Sequence, residues 1–252
     1  MKKWFFLFLL GLTAIWIGKS VFTNSYEEGN FQEVLTVGTN AEYPPYCYID
    51  ENKIVGFDID VAKEVAKRLQ KKLVLCDMPF DALIPALKLH KIDCIAAGLT
   101  PTVERLKNVF FTKPYLAGDP LVIVSFAGHP LQDLDALKGK HIAVNEGYAS
   151  DLYLSEIQGI ELIRLPSPSD GFLALASHKV DAFVTVQTTA HNFMQQYPQN
   201  SYVLSNIGNI SEGVAVALAK DRPKELQEID AVLEQMTQDQ TIENLQKKWG
   251  FL

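Results

Sequence analysis

The sequence predicts an α/β protein with two similar lobes, and three observations support this fold class. Apolar, strand-like runs alternate with amphipathic helical segments, which is typical of βαβ units on parallel-dominated sheets flanked by helices. The sequence HKID at 90–93 recurs as HKVD at 178–181, each time between a predicted helix and a predicted strand. Residues 213–248 predict one strand and two helices without a sheet of their own, so we expect them to pack on the first lobe.

The elements of the first half are predicted in the order strand, helix, strand, helix, strand. Val34 begins an apolar run that ends in a turn at Gly38. Asp58 is a candidate N-cap for the first helix, where apolar residues recur at helical spacing. The other elements are a strand at 72–76, a helix capped by Asp81, and a strand at 92–97.

The second half repeats this order and then returns to the first lobe. The predicted elements are strands at 140–145, 161–165, 180–184 and 213–219, and helices at 149–156, 170–177, 223–236 and 241–248. We therefore expect one lobe to comprise 26–117 and 212–252, and the other 118–211. Two crossings between lobes predict a hinge, with a ligand cleft at the carboxyl ends of the strands.

The N-terminal segment predicts export. Lys2 and Lys3 precede an apolar stretch that continues to Ile17, as in a secretory signal. No clear cleavage site follows, so residues 1–25 are interpreted as a signal peptide or as an uncleaved N-terminal anchor. The expected location is the periplasm or the outside of the cell, with or without retention at the membrane.

Charge and cysteine content exclude several classes of protein. The formal net charge is −7, and residues 1–25 contribute three lysines and no acid, so the remaining body is more acidic still. An acidic body argues against nucleic-acid binding and favours cationic ligands. Cys47, Cys76 and Cys94 lack C-x-x-C spacing, which leaves either one disulfide or buried free thiols.

The sequence contains none of the short catalytic motifs that identify common enzymes. It has no G-x-S-x-G, H-E-x-x-H, P-loop or G-x-G-x-x-G pattern, and no two of its five histidines are four residues apart. We therefore expect no enzyme activity, no metal and no cofactor. Carboxylate-based chemistry stays open, because it leaves no short motif.

The segment that follows the third predicted strand has features of a carboxylate site. Thr100 as N-cap and Pro101 at the first helical position predict a helix start. Free N–H groups of such a start suit a carboxylate, and Arg105 could reach back to hold it with two hydrogen bonds. The alternative is an ordinary capped helix with a surface arginine.

Four segments together resemble one known family. They are GTNAEYPPY at 38–46, GFDIDVA at 56–62, FDALIPAL at 80–87 and AGLTPTVER at 97–105. In this order they are similar to the polar-amino-acid-binding periplasmic proteins of ABC importers, the extracellular solute-binding protein family 3, and most closely to its arginine and lysine/arginine/ornithine branch. The resemblance runs from about Val34 to the C-terminus and implies a two-lobed type II periplasmic-binding-protein fold with two hinge crossings.

The resemblance also implies roles for individual residues. Arg105 would hold the ligand α-carboxylate, helped by Thr100 and by the backbone of the loop at 147–150, which includes Ala149 and Ser150. Gly98 and Thr100 would lie against the α-ammonium. The ligand side chain would be sandwiched between two aromatic rings, those of Tyr43 and Phe80, which suits a guanidinium or a methylene stem.

Two positions depart from the family pattern. Val186 stands where the family usually has an aspartate for the α-ammonium, and the neighbouring Gln187 offers a neutral carbonyl oxygen instead. Asn40 stands where binders of basic amino acids often have an acid, so Glu42 or Glu146 would supply the negative charge. This set favours arginine, with glutamine and histidine as alternatives.

The function that the resemblance implies is an exported, monomeric amino-acid carrier that closes around its ligand and delivers it to an inner-membrane ABC permease. One alternative is an enzyme similar to cyclohexadienyl dehydratase, for which Glu42 and Glu146 are the candidate acid–base pair. Another is a surface-displayed sensor or adhesin that retains the fold. The GFDID segment is assigned a structural role, since acids are favoured at a helix N-terminus.

Overall fold

A computed structural model describes residues 23–25, 33–196, 201–208 and 213–251. Apart from Thr23–Ser25, the predicted signal or anchor segment lies outside the described residues. The strands in chain order are β1 (Thr23–Ser25), β2 (Val34–Thr39), β3 (Glu42–Tyr43), β4 (Cys47–Asp50), β5 (Lys53–Val55), β6 (Lys72–Asp77), β7 (Cys94–Ile95), β8 (Phe110–Phe111), β9 (Leu121–Phe126), β10 (His141–Asn145), β11 (Glu161–Leu165), β12 (Ala182–Val186), β13 (Tyr202–Asn206) and β14 (Ala217–Leu218).

Helices alternate with these strands. They are α1 (Phe57–Arg68), α2 (Phe80–Lys88), α3 (Val103–Asn108), α4 (Ala149–Ser155), α5 (Pro168–Ala176), α6 (Gln187–Gln196), α7 (Pro223–Gln238) and α8 (Thr241–Trp249), with a 3₁₀ turn at Asp135–Leu137. None of the helices within the described ranges is long and apolar enough to cross a membrane.

Two main sheets form the two lobes of an α/β fold, as the sequence predicts. The first sheet has the strand order β1-β6-β2-β7-β14-β8, in which β2 runs parallel to β6 and β7. The second has the order β11-β10-β12-β9-β13, in which β10 runs parallel to β11 and β12. Strand β14 joins the first sheet although it follows the whole second sheet in the chain. A small sheet of β3, β4 and β5 adjoins the first lobe.

Each lobe has its own hydrophobic core. One large cluster of buried apolar side chains lies around the first sheet and includes residues from α1, α7 and α8. The second sheet carries a separate cluster on each face, one around Phe172 and Phe183 and the other around Ile142 and Val184. Burial on both faces explains why these strands are continuous apolar runs.

The repeated HKID and HKVD segments form the same joint in both lobes. His90 and His178 adopt left-handed backbone conformations, with φ of 52° and 55°, directly after α2 and α5. The carboxylate of Asp93 accepts the N–H of Thr36 at 2.8 Å, and that of Asp181 accepts the N–H of His141 at 2.9 Å. In each lobe the aspartate therefore ties the new strand to its parallel neighbour.

Several predicted boundaries are wrong. Gly56, not Asp58, caps α1; its φ of 135° suits glycine, and a Cβ there would collide with the carbonyl oxygen of Tyr46. Asp81 lies inside the first turn of α2, behind Pro79. The strands predicted at 92–97 and 213–219 shorten to β7 and β14, and β9, β13 and α6 were not predicted.

All three cysteines are free thiols. Cys47 and Cys94 are buried and Cys76 is half-buried, so the alternative of buried thiols describes the first lobe best. Burial raises the pKa of the Cys94 thiol to about 12, which makes it an unreactive apolar side chain.

Candidate functional site

The carboxyl ends of the strands of the two sheets face one another across a small cavity. It is lined by Tyr43, Tyr46, Phe80, Gly98, Thr100, Arg105, Asp119, Leu121, Tyr148, Ala149, Ser150, Thr185, Val186 and Val214. Its volume is about 20 Å³, which is room for about one water molecule. The lobes are therefore closed on one another, and a larger guest would require them to separate.

Arg105 is the cation of this cavity. Its side chain is only 7% exposed. Its Nη1 donates to the carbonyl oxygen of Thr100 at 2.9 Å, and its Nη2 donates to the carbonyl oxygen of Gly147, on the other lobe, at 2.8 Å. The guanidinium also lies 5.3 Å from the centre of the Phe80 ring. Among the described residues no carboxylate forms an ion pair with Arg105, and burial lowers its pKa to about 10, which leaves it charged at neutral pH.

The local helix start that positions Arg105 differs from the prediction. Thr102, not Thr100, is the N-cap of α3, and its side-chain oxygen accepts the N–H of Arg105 at 3.2 Å. Pro101 disfavours helical backbone at the residue before it, so the chain stays extended until it has passed the proline. As a consequence, the carbonyl oxygen of Thr100 accepts a hydrogen bond from the Arg105 side chain, and the Thr100 hydroxyl does not cap the helix.

Gly98 and Asp58 hold the loop between β7 and α3. Gly98 has a φ of 61°, and a Cβ there would lie 2.7 Å from the Tyr43 ring, so this position requires glycine. Its N–H donates to the carboxylate of Asp58, which also accepts the hydroxyl of Tyr115 at 2.8 Å. Asp58 is fully buried, and this burial raises its pKa to about 7 in spite of the two hydrogen bonds. Its place in this loop agrees with a structural role.

An aromatic cluster fills the cavity. The rings of Tyr43 and Tyr46 stack with centroids 4.8 Å apart. Tyr148, from the second lobe, contacts Tyr43 edge-on at 5.1 Å and Phe80 at 4.3 Å. The Tyr148 hydroxyl donates to Oδ1 of Asn40 at 2.9 Å. Both rings of the predicted sandwich therefore contact Tyr148 in this closed form, and the sandwich around a ligand stays a prediction.

Asp119 is the anion of the cavity, and no motif in the sequence pointed to it. It is 8% exposed and accepts the Tyr46 hydroxyl at 3.0 Å. The N–H of Thr188 donates to both of its oxygens, at 3.3 and 3.2 Å. Burial raises the pKa of this carboxyl above its usual value, against the opposing effect of these hydrogen bonds.

The predicted ligand-binding residues divide into two groups. Those that line the cavity are Tyr43, Phe80, Gly98, Thr100, Arg105, Ala149 and Ser150. Asn40 does not line it but accepts a hydrogen bond from the lining residue Tyr148. Gln187 is not among the lining residues; its N–H donates to the carbonyl oxygen of Pro120 at 2.8 Å. Glu42 and Glu146 are exposed and lie in an adjoining groove on the other side of Phe80.

The adjoining groove is acidic and is shared by both lobes. Its lining includes Asn40, Glu42, Asp77, Asp81 and Glu146. The two glutamates proposed as an acid–base pair therefore stand outside the enclosed cavity, in contact with solvent. Within the described ranges no group of three His, Cys, Asp or Glu side chains is arranged to hold a metal ion.

Comparisons with known proteins identify relatives over almost the whole chain. Residues 35–251 match the bacterial extracellular solute-binding proteins, family 3. A probable histidine-binding protein of Campylobacter jejuni is 33% identical over 234 residues, which cover 91% of each chain. The lysine/arginine/ornithine-binding periplasmic protein of Escherichia coli is 30% identical and covers 96% of this chain and 95% of its own.

Solved structures of amino-acid-binding proteins are also similar to this chain. An ancestral arginine-binding protein bound to arginine is 36% identical, with a TM-score of 0.83 over 87% of this chain and 99% of its own. An ancestral amino-acid-binding protein, described as a precursor of cyclohexadienyl dehydratase, is 30% identical, with a TM-score of 0.79 over 86% of this chain and 95% of its own. The second structure indicates that this fold has also given rise to an enzyme.

Proposed function

This chain belongs to the bacterial extracellular solute-binding proteins, family 3, and from that premise we propose that it is the amino-acid-binding component of an ABC importer, with arginine as its preferred ligand. Its relatives are named as binding proteins for histidine, for arginine, or for lysine, arginine and ornithine. All of these ligands share an α-carboxylate, an α-ammonium and a nitrogen-containing side chain. A receptor for them needs one site for each of these three groups.

The observation that carries the proposal is the buried guanidinium of Arg105. Burying a charge is costly unless an opposite charge compensates it. Arg105 has two backbone carbonyl partners but, among the described residues, no ion-paired carboxylate. A ligand α-carboxylate would supply that charge and could accept two N–H groups of the guanidinium at once. Thr100, Ala149 and Ser150 line the same cavity and would complete the carboxylate site.

Contacts between the lobes support a hinge-closing mechanism. Among the described residues, hydrogen bonds between the two sides of the cavity include those of Arg105 to Gly147, Tyr46 to Asp119, and Tyr148 to Asn40. We propose that residues 26–117 and 212–252 form one lobe and 118–211 the other, and that a ligand replaces part of these contacts when the open protein closes on it. Residue 212 itself lies outside the described residues.

Arginine is favoured by the surroundings of the cavity. The aromatic rings of Tyr43 and Phe80 suit a planar guanidinium, and the acidic groove with Glu42 and Glu146 begins directly beyond Phe80. A ligand that extends from Arg105 past Phe80 would place its cationic end in this groove. The aromatic ring of Tyr148 would have to leave its present position, because it contacts both rings.

Delivery to a membrane permease is the remaining part of the proposal. The family is extracellular or periplasmic, which agrees with the basic and apolar N-terminal segment of this chain. We propose that a monomer in the closed form is the species that the permease recognises. Residues 1–25 would either be removed after export or hold the carrier at the membrane.

Calorimetric titration tests the function directly. The purified protein, after extensive dialysis, is titrated with arginine, lysine, ornithine, histidine and glutamine, and any small molecule that co-purifies is identified by mass spectrometry. We expect heat of binding with arginine and weaker or no heat with glutamine. If none of the five amino acids binds and none co-purifies, the proposed function is wrong.

A further inference from the structure

We infer that the carboxylate of Asp119 binds the ligand α-ammonium and thereby replaces the acid that is missing at position 186. This inference rests on the proposed function and adds a residue to it. The question that it answers arises from Val186, an apolar side chain at the cavity wall where an ammonium partner would be expected. A buried ammonium without a carboxylate is costly, so another acid must be close.

Strand pairing brings Asp119 to the position that Val186 leaves without charge. Strands β9 and β12 are antiparallel neighbours, and Leu121 is the partner of Val186 in their register. Asp119 precedes Leu121 by two residues, so it enters the cavity at the edge where β12 ends. Its carboxylate reaches the N–H of Thr188, two residues beyond Val186. The acid is therefore supplied by the segment that leads into the adjacent strand β9.

Among the lining residues only Arg105 and Asp119 carry formal charge at neutral pH. One is basic and the other acidic, and each is hydrogen-bonded to neutral partners rather than to the other. Two opposite charges in one closed cavity that are not ion-paired with each other match the two charges of an amino-acid head group. The other lining residues are aromatic, small or hydroxyl-bearing, so they contribute shape and neutral hydrogen bonds.

The existing contacts of Asp119 leave room for an ammonium. A carboxylate has about four lone-pair positions, and Asp119 accepts hydrogen bonds from the Tyr46 hydroxyl and from Thr188, through both its N–H and its side chain. Both donor residues are neutral, and they hold the carboxylate in a fixed orientation. In the part of the chain that the structure describes, Asp119 forms no ion pair with a lysine or an arginine; the charge of His191 acts to lower the pKa of its carboxyl without a direct contact, so we assign the direct cationic partner to the ligand.

The test compares two ligands that differ only in the ammonium. L-arginine and desamino-arginine, in which hydrogen replaces the α-ammonium, are titrated into the full protein and into the Asp119→Asn variant, with NMR detection where binding is in the millimolar range. We expect the variant to bind L-arginine at least about 30-fold more weakly, as when one partner of a buried charge pair is removed. Its affinity for desamino-arginine should stay within about threefold of that of the original protein.

Matched controls separate this role from a structural one. Asp81→Asn removes an exposed acid from the adjoining groove and should leave the ratio of the two affinities unchanged. Tyr46→Phe removes one donor from Asp119 but keeps its charge, and it should preserve the preference for L-arginine. Circular dichroism checks that each variant is folded.

The outcomes separate a failure of the proposed function from a failure of the role assigned to Asp119. If the original protein binds none of the five amino acids, the proposed function fails, and with it this inference. If it binds L-arginine but Asp119→Asn keeps that affinity, the proposed function stands and the inference is overturned. An equal loss for both ligands also overturns it, because such a loss reports a structural role for the Asp119 carboxylate.

Discussion

The Nη2 atom of Arg105 and the carbonyl oxygen of Gly147 lie 2.8 Å apart, and this hydrogen bond joins the two lobes at the centre of the cleft. The same guanidinium reaches Thr100 on its own lobe. Because a planar guanidinium has five N–H donors, these two bonds leave others for an incoming carboxylate. Arg105 can therefore serve both lobe closure and ligand binding.

The first prediction concerns this guanidinium. Arg105→Ala should weaken amino-acid binding at least about 30-fold, since it removes the cationic partner of a buried carboxylate. Arg105→Lys should restore little, because a lysine cannot form the forked pair of hydrogen bonds. Affinity is measured by calorimetry and folding by circular dichroism. Lys107→Ala, an exposed change on the same helix, is the control; equal affinities for the Arg105 and Lys107 variants would refute the carboxylate role.

The second prediction concerns Tyr148, whose ring contacts Tyr43 and Phe80 in the closed form. Tyr148→Ala removes these contacts and the hydrogen bond to Asn40, so the ligand-free protein should shift towards the open form. We expect a larger radius of gyration in X-ray scattering without ligand and the compact value once arginine is saturating. Tyr148→Phe keeps the ring and should shift the equilibrium less. An unchanged ligand-free radius of gyration in Tyr148→Ala would contradict this role.

The third prediction uses two glycines that share a backbone conformation but not their surroundings. Gly98 and Gly139 have φ of 61° and 69°, so alanine at either position carries a backbone penalty of about 1–2 kcal/mol. A Cβ at Gly98 would collide with the Tyr43 ring, whereas one at Gly139 meets no described atom within 4 Å. Gly98→Ala should therefore lose more stability, by about 1–3 kcal/mol, and also lose ligand affinity.

Gly139→Ala is the matched control for that experiment and should keep the affinity of the original protein. Urea denaturation gives the two stabilities and calorimetry the two affinities. Equal effects of the two substitutions on both quantities would show that the Tyr43 contact at Gly98 has no importance for the site.

The sequence predicted the fold best where the determinants are local. The turn at His90 and its counterpart at His178 recur in sequence and in structure, because a left-handed helix end followed by a strand-linking aspartate depends on adjacent residues. Arg105 was likewise found from its own motif. Strand β9 was missed although its uninterrupted apolar run at Leu121–Phe126 was a usable signal.

The parts of the site that were missed depend on contacts between distant segments. Tyr148 and Asp119 enter the cavity only because the second lobe closes against Asn40 and Tyr46, which are 108 and 73 residues away in sequence. No local spacing encodes such a pairing. The loop at 147–150 was predicted for its backbone, and its tyrosine ring was revealed by packing alone. Glu42 and Glu146 were predicted to supply the negative charge for the ligand side chain; they line the adjoining groove and not the cavity, and their role stays a prediction.

The last prediction is a pH dependence that comes from Asp58. Its carboxyl has a pKa of about 7 in the folded protein, against 3.8 for an ordinary aspartate, because it is fully buried. Between these values the folded state binds the proton more tightly than the unfolded state. Unfolding therefore releases protons, and the contribution of Asp58 to stability falls as the pH rises from about 4 to 7 and is constant above that range.

We expect the urea midpoint of the original protein to fall between pH 5 and 8 by more than that of Asp58→Asn, which has no carboxyl at this position to titrate. Asp60→Asn is the control on the same helix turn. Burial acts to raise the pKa of Asp60, but hydrogen bonds from Lys248 and Lys63 outweigh this effect and lower the pKa overall. Asp60 should therefore affect stability only at more acidic pH. If the fall between pH 5 and 8 is the same in Asp58→Asn as in the original protein, the buried carboxyl does not titrate in this range and its assigned environment is wrong.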